Sequence, residues 1–303
     1  MNLPYYRAIC YSGYRENQSP RHQIYPSDQE VLEDLIIISK HFNAIRMYDP
    51  YTHAQTVLKL IKLYQIPLKV MVGVEPKGEI SNPNCPWGGL HSDADIIKHK
   101  KENYEQLDLL ANLVNQYEDI VLAASVGNES TSDWHGNLMP PETIAQHARY
   151  LKDKIKCPIT FCEGAYYWKT KGAVIADAVD FISIHSYPLW NKVSVEKAAQ
   201  ITISDYQSTC ETFPNKTVIF TEYGWATRAN DKMNAHDASE ENQTIYLEQM
   251  HTWSEKNQVT MFTFEAFDEP WKGSDDPNEP EKHWGLYHVD RQPKAYAKKH
   301  LKK

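Results

Sequence analysis

The sequence has no surplus of positive charge. Its 32 Lys and Arg stand against 40 Asp and Glu, a formal net charge of −8 with a pI near 5.9. Such a chain offers little to a polyanion, so nucleic acid is not an expected partner. It also lacks any apolar run of the length a membrane span requires, and no membrane partner is expected. The first ten residues, Met1 to Cys10, carry neither the charged nor the apolar region of a signal peptide. The expected location is therefore cytoplasmic, or secreted or periplasmic if a signal peptide has been removed. Five cysteines form no CxxC pair and are odd in number, which argues against a zinc knuckle and a disulfide framework while leaving a single bridge open. No G-x-G-x-x-G follows the first strand-like run, which counts against an open dinucleotide-binding sheet. Four N-x-S/T triplets, at Asn17, Asn128, Asn215 and Asn242, are at the level of chance.

What is present is a long, ordinary globular composition with many aromatics. Of 303 residues, 41% are hydrophobic and 24% charged, enough to bury a large core. Aromatics make up 12%, with 19 Tyr and 8 Trp. Eight strand-like runs alternate with helical ones: Tyr5–Tyr14, Ala44–Asp49, Leu68–Glu75, Ile120–Val126, Pro158–Cys162, Val179–Ile184, the run from Val218, and Val259–Phe267. Ser27-Asp-Gln-Glu30 reads as a capping box ahead of the first helix, and Pro140-Pro141 opens the fourth. A loop rich in Gly, Pro and Asn is expected from Pro76 to about Lys100. Buried strands with helices between them imply a parallel sheet, and eight such units close into a barrel. The fold expected is α/β, a single (β/α)8 TIM barrel over residues 1–303, with its active site at the C-terminal ends of the strands.

Those ends bring together Tyr11 and Tyr14; Arg46, Tyr48 and Asp49; Glu75; Asn128 and Glu129; Glu163; His185 and Tyr187; Glu222; and the segment 265–272. Trp87, Trp134, Trp168, Trp190, Trp225, Trp271 and Trp284 also fall in or beside loops on this face. Flat apolar rings beside carboxylates suit the C–H faces and hydroxyl edges of sugars, so a tryptophan-lined trough is expected. Glu129 and Glu222 end the fourth and seventh strands, opposite one another across the mouth. A facing pair of carboxylates can divide the work of glycoside hydrolysis, one donating a proton and the other attacking or stabilising the anomeric carbon.

Four segments carry a specific resemblance: Ile45-Arg-Met-Tyr-Asp49, Gly127-Asn-Glu129, Thr221-Glu-Tyr-Gly-Trp225 and Phe264-Glu-Ala-Phe-Asp-Glu-Pro-Trp-Lys272. Together they resemble glycoside hydrolase family 17, over nearly the whole chain. The resemblance implies a retaining β-1,3-glucanase acting on laminarin-type β-glucan. It implies Glu129 as acid/base, Asn128 binding the sugar 2-hydroxyl and Glu222 as nucleophile. Arg46 and Tyr187 would be neighbours of Glu222, with Tyr48 supporting them, and Glu269 with Lys272 the ionic group behind it. Trp87, Trp134, Trp225, Trp271 and Trp284 are candidates for binding or supporting the sugar. Gly224-Trp-Ala-Thr-Arg228 departs from the Gly-Trp-Pro of plant members, and the Glu-Pro-Trp-Lys ending looks closer to bacterial ones.

Such a pair requires Glu222 ionised, its pKa held down by Arg46, Tyr187 and Lys272, and Glu129 protonated in a less polar setting. No metal or cofactor is expected, and a monomer is the expected state. Transfer of the glucosyl group to another sugar by the same residues is the nearest alternative. A metal-dependent sugar isomerase or epimerase, using Asp49, Glu75, Glu163, His185 and Asp268, and a non-catalytic glucan-binding barrel are the further ones.

Overall fold

The computed structural model describes residues 3–301. Its eight strands are β1 (Arg7–Cys10), β2 (Ala44–Met47), β3 (Lys69–Gly73), β4 (Val121–Asn128), β5 (Ile159–Gly164), β6 (Ile182–Ser186), β7 (Val218–Tyr223) and β8 (Met261–Thr263). All pair in parallel, each with its successor, and β1 closes on β8 through Ala8 and Phe262. The expected (β/α)8 barrel is what the chain forms.

The helices are α1 (Asp28–Ser39), α2 (Thr52–Tyr64), α3 (Asp93–Gln116), α4 (Pro141–Lys152), the short α5 (Ala165–Lys171) and α6 (Ala173–Ala176), α7 (Val195–Thr212), α8 (Glu240–Asn257) and α9 (Ala295–His300). Ser27 and Glu30 close the expected capping box on α1. The long loop after β3 is shorter than expected. It ends at Ser92, which caps α3 with Asp95 in the reciprocal position usually held by Glu or Gln. The shorter Asp side chain serves the box in place of the commoner acid.

Two features of the barrel position its rim. The core fills with strand residues such as Ile9, Ile45, Val70, Ala124, Phe161, Ile184, Phe220 and Phe262, all fully buried. Where the strands reach the C-terminal face, the parallel register shifts: between Ser125 and Asn128 on β4, between Ile184 and His185 on β6, and between Phe220 and Tyr223 on β7. Such irregularities re-aim side chains at barrel rims. Here they fall on the strands that carry the candidate site.

The closing segment is tied back by buried ion pairs. Arg291 meets Asp34 of α1 at 2.6 Å, and Lys294 meets Asp268 at 2.6 Å. All five cysteines are free, so the bridge left open by the sequence does not form. Among the described residues no helix is long and apolar enough to cross a membrane.

Candidate active site

Glu222 is the penultimate residue of β7, with 5% of its surface exposed. Its Oε1 accepts from Arg46 Nη1 at 2.5 Å and from the Tyr48 hydroxyl at 2.9 Å, and its Oε2 accepts from the Tyr187 hydroxyl at 2.7 Å. Arg46 comes from β2, Tyr48 from the turn after it, and Tyr187 from the residue after β6. The Arg46 guanidinium stacks over the Tyr48 ring at 4.4 Å and donates from Nη2 to Asn128 Oδ1 at 2.6 Å. A guanidinium can only donate, so this contact fixes which end of the Asn128 amide faces Arg46 and leaves its two N–H bonds for another acceptor.

Glu129 stands one residue beyond β4 with a φ of 51°, left-handed backbone for a residue with a side chain. Strain of this kind is held where the surroundings over-determine it, commonly at functional sites. Here its N–H is fixed to Cys162 O at 2.8 Å. Below the turn, Glu163 is 1% exposed and accepts from the Thr131 N–H, the Thr131 and Ser132 hydroxyls and the Gly164 N–H. Burial and the charge of Glu129 push the Glu163 carboxyl up to about 7, against those four donors. Glu163 therefore anchors the loop that carries Glu129.

His185 joins the two acids. Its Nδ1 lies 2.9 Å from Glu129 Oε1 and 3.5 Å from Glu222 Oε2, and one ligand atom from each of the three residues falls within 4.8 Å of the others. The register shift at Ile184/His185, which sets His185 opposite Glu222, has no signature in the residues themselves.

Charge balance follows from these contacts. Burial alone would raise the Glu222 pKa. The positive charges of His185 and Arg46 and the hydroxyls of Tyr187 and Tyr48 overcome it and bring the group down to about 2. Burial would lower His185, but Glu222, Cys162 and Glu129 lift it to about 10. The depressed Glu222 contributes stability that is present above its ordinary 4.5 and lost as pH falls through about 2. The raised His185 contributes stability that is full below 6.5 and lost as pH rises through about 10. Denaturant midpoints of the wild type and His185→Gln should therefore differ most between about pH 4.5 and 6.5 and converge towards pH 10. A gap unchanged up to pH 10 would contradict the charged pairing.

Two sequence expectations need correction. Lys272 does not touch Glu222; its Nζ sits between Glu265, at 3.2 Å, and Glu269. Its pKa rises under those two carboxylates, and it neutralises an acidic pair the motif reading did not separate. The tryptophan-lined trough is the second. Trp168, Trp225 and Trp284 are 0%, 0% and 1% exposed. Trp225 donates to Asp237 O and packs on Tyr246, while Trp284 packs behind Tyr187, so both support the wall without lining it. Trp271 is half-buried, against Tyr14 and under Arg21, with its Nε1 on Glu269. Trp87 and Trp134 are the exposed pair.

The five ligands of the metal-dependent alternative do not come together as one group. The one group of described residues placed to hold an ion is Glu129, His185 and Glu222, and the Arg46 guanidinium already occupies Glu222. Glu163 is taken by hydroxyls and Asp268 by Lys294.

Residues 8–285 match the model of the BtgE/BtgC glycoside hydrolase domain. The chain is 28% identical over 215 residues to a glucan 1,3-beta-glucosidase of Arthroderma benhamiae, covering 65% of this chain and 68% of that one. It is 28% identical over 290 residues to a putative glucan endo-1,3-beta-glucosidase, btgC, of Aspergillus niger, covering 86% of this chain but 38% of the relative's length. Among solved structures, an endo-laminarinase from Formosa superposes with a TM-score of 0.83 at 23% identity, over 98% of this chain and 86% of that one. A family 17 β-1,3-glucanosyltransferase from Rhizomucor miehei superposes with a TM-score of 0.74 at 19% identity, over 95% of each chain. These two likenesses establish a shared fold.

Proposed function

Because the chain belongs to the family of the BtgE/BtgC glycoside hydrolase domain, we propose that it cleaves the β-1,3-glucosidic bonds of laminarin-type glucans by double displacement with retention. The observation that carries this reading is the close, unequally partnered pair of carboxylates. Oxygens of Glu129 and Glu222 lie within 4.8 Å of each other. This suits the retaining spacing of about 5–5.5 Å and not the roughly 6.5–9.5 Å that admits a water between the acids of inverting enzymes.

Glu222 is the nucleophile. Three donors and His185 keep it ionised, and Oε2, with a single hydroxyl donor, is the freer oxygen for attack on the anomeric carbon. As the bond from that carbon to the glucosidic oxygen breaks, Glu129 passes its proton to the leaving oxygen. The glucosyl group is then esterified to Glu222. Glu129, now a carboxylate, takes a proton from water, whose oxygen attacks the anomeric carbon and releases Glu222. Asn128, with its N–H bonds freed by the Arg46 contact, is placed to donate to the 2-hydroxyl of the reacting sugar.

Transfer to a sugar acceptor uses the same ester and differs only in what attacks it. Incubation with laminari-oligosaccharides of defined length separates the two. Hydrolysis gives only shorter products at all times, whereas transfer gives products longer than the substrate early on. Absence of any cleavage of β-1,3-linked substrates would overturn the reading.

A further inference from the structure

Trp87 and Trp134 are the least explained large side chains on the rim. They are 70% and 40% exposed, on the β3–α3 and β4–α4 loops, with ring centroids 6.2 Å apart and planes inclined at 59°. Single exposed aromatics need no explanation, but two held side by side in solvent gain little from folding.

The loops beneath them are firmly built. Asn82, 4% exposed, donates to both Asp133 O at 2.7 Å and His135 O at 3.0 Å, the residues flanking Trp134. The main chain of Glu79 and Ile80 bonds Leu138 O, and His91 Nε2 meets Gly136 O at 3.1 Å. At Gly136 a Cβ would stand 2.5 Å from Gly88 O, so glycine there lets the loops meet. This scaffold fixes the position of two rings that are not themselves part of the core.

The Trp134 loop is also the direct continuation of Glu129. Ser132 N–H bonds Glu129 O and His135 N–H bonds Ser132 O, two successive turns each spanning less than about 7 Å. The His135 ring packs on Trp134, and burial lowers its pKa against the opposing pull of the Glu129 carboxylate. The chemistry then fixes the side. The acid/base must reach the leaving oxygen, so the departing sugar lies towards Glu129, while the sugar retained on the enzyme lies towards Glu222.

We propose that Trp87 and Trp134 form a stacking subsite for the leaving-group side of a β-glucan chain, beyond the sugar that Glu129 protonates. The inference rests on the roles given above to Glu129 and Glu222. The subsite takes neutral glucosyl rings by their C–H faces. It strengthens binding of long leaving groups and, by the same contacts, holds an acceptor sugar at the glucosyl ester.

The test compares wild type, Trp87→Ala, Trp134→Ala, the double variant and Trp134→Phe. The substrates are reducing-end-labelled laminarihexaose and an aryl β-laminaribioside whose phenol does not extend to the subsite. In the double variant kcat/KM on the hexaose should fall about tenfold and cleavage should move towards the reducing end. The aryl substrate should stay within about twofold, and Trp134→Phe should retain most of the wild-type pattern. An unchanged cleavage pattern, a shift towards the non-reducing end or an equal loss on both substrates overturns the subsite while leaving the hydrolase reading intact. A wild type inactive on both substrates overturns that reading and the subsite with it.

Discussion

Glu222→Ala should lower hydrolysis of laminari-oligosaccharides by on the order of 10⁵-fold, about 7 kcal/mol of transition-state stabilisation. On the proposed mechanism the variant removes the atom that attacks the anomeric carbon while leaving Asn128, Glu129 and the rim in place, so oligosaccharide affinity should change only a few-fold. It also leaves Arg46 and His185 without their shared carboxylate. Glu222→Gln is the better control for stability, because its carbonyl can still accept from Arg46 while the Tyr187 hydroxyl turns to accept from the amide. The alanine cavity offers a direct check of role. Azide entering it should attack an activated aryl glucoside from the face Glu222 occupied and give the α-glucosyl azide. In Glu129→Ala the ester on Glu222 still forms from such a substrate, and azide should open it from the other face to give the β-azide. Full activity in Glu222→Ala, or the two azide products exchanged, would remove the assignment.

Arg46→Met should show the second large effect, on both stability and rate. Arg46 is 2% exposed and holds Glu222, Thr221 O and Asn128 at once. Removing one partner of a buried pair strands the other, at about 3–5 kcal/mol of folding stability. The Tyr48 and Tyr187 hydroxyls remain on Glu222, which places the loss towards the lower end. The rate should fall by roughly 10²–10³-fold, as when a preorganised donor is lost, since both Glu222 and Asn128 lose their orientation. The pH dependence carries the sign. With Arg46 gone, the Glu222 pKa climbs from about 2 towards its ordinary 4.5, so the acidic limb of kcat/KM moves to higher pH. Arg46→Lys should recover part of the limb shift and little of the rate, because an ammonium cannot bond Glu222 and Asn128 as a fork. An acidic limb that does not move in Arg46→Met would separate the guanidinium from control of the nucleophile.

Much of this site was legible before the structure, and the reason is topological. In a parallel barrel, strand ends define one face, so residues that follow strand-like runs, such as Asn128, Glu129 and Glu222, must gather there. The resemblance to glycoside hydrolase family 17 rested on those same positions, and the family match over residues 8–285 agrees with it. What was not legible depends on how loops pack and on small shifts in register. Trp225 and Trp87 both follow strands, but one lies under α8 against Tyr246 while the other stands in solvent. No local pattern distinguishes them. The resemblance places Lys272 with Glu269 behind Glu222, but nothing in its motif tells that Glu265 shares the ammonium with Glu269 and keeps it off Glu222. His185 reaches both acids through one irregular step in pairing between β6 and β7.

The central claim is that two close carboxylates act in succession through a glucosyl ester on Glu222. Proton NMR of the first sugar released from a laminari-oligosaccharide, followed from the first minutes, tests it most directly. The account predicts the β-anomer at the new reducing end, with the α-anomer growing in afterwards only by mutarotation. An initial α-anomer would mean a single displacement by water and would contradict it.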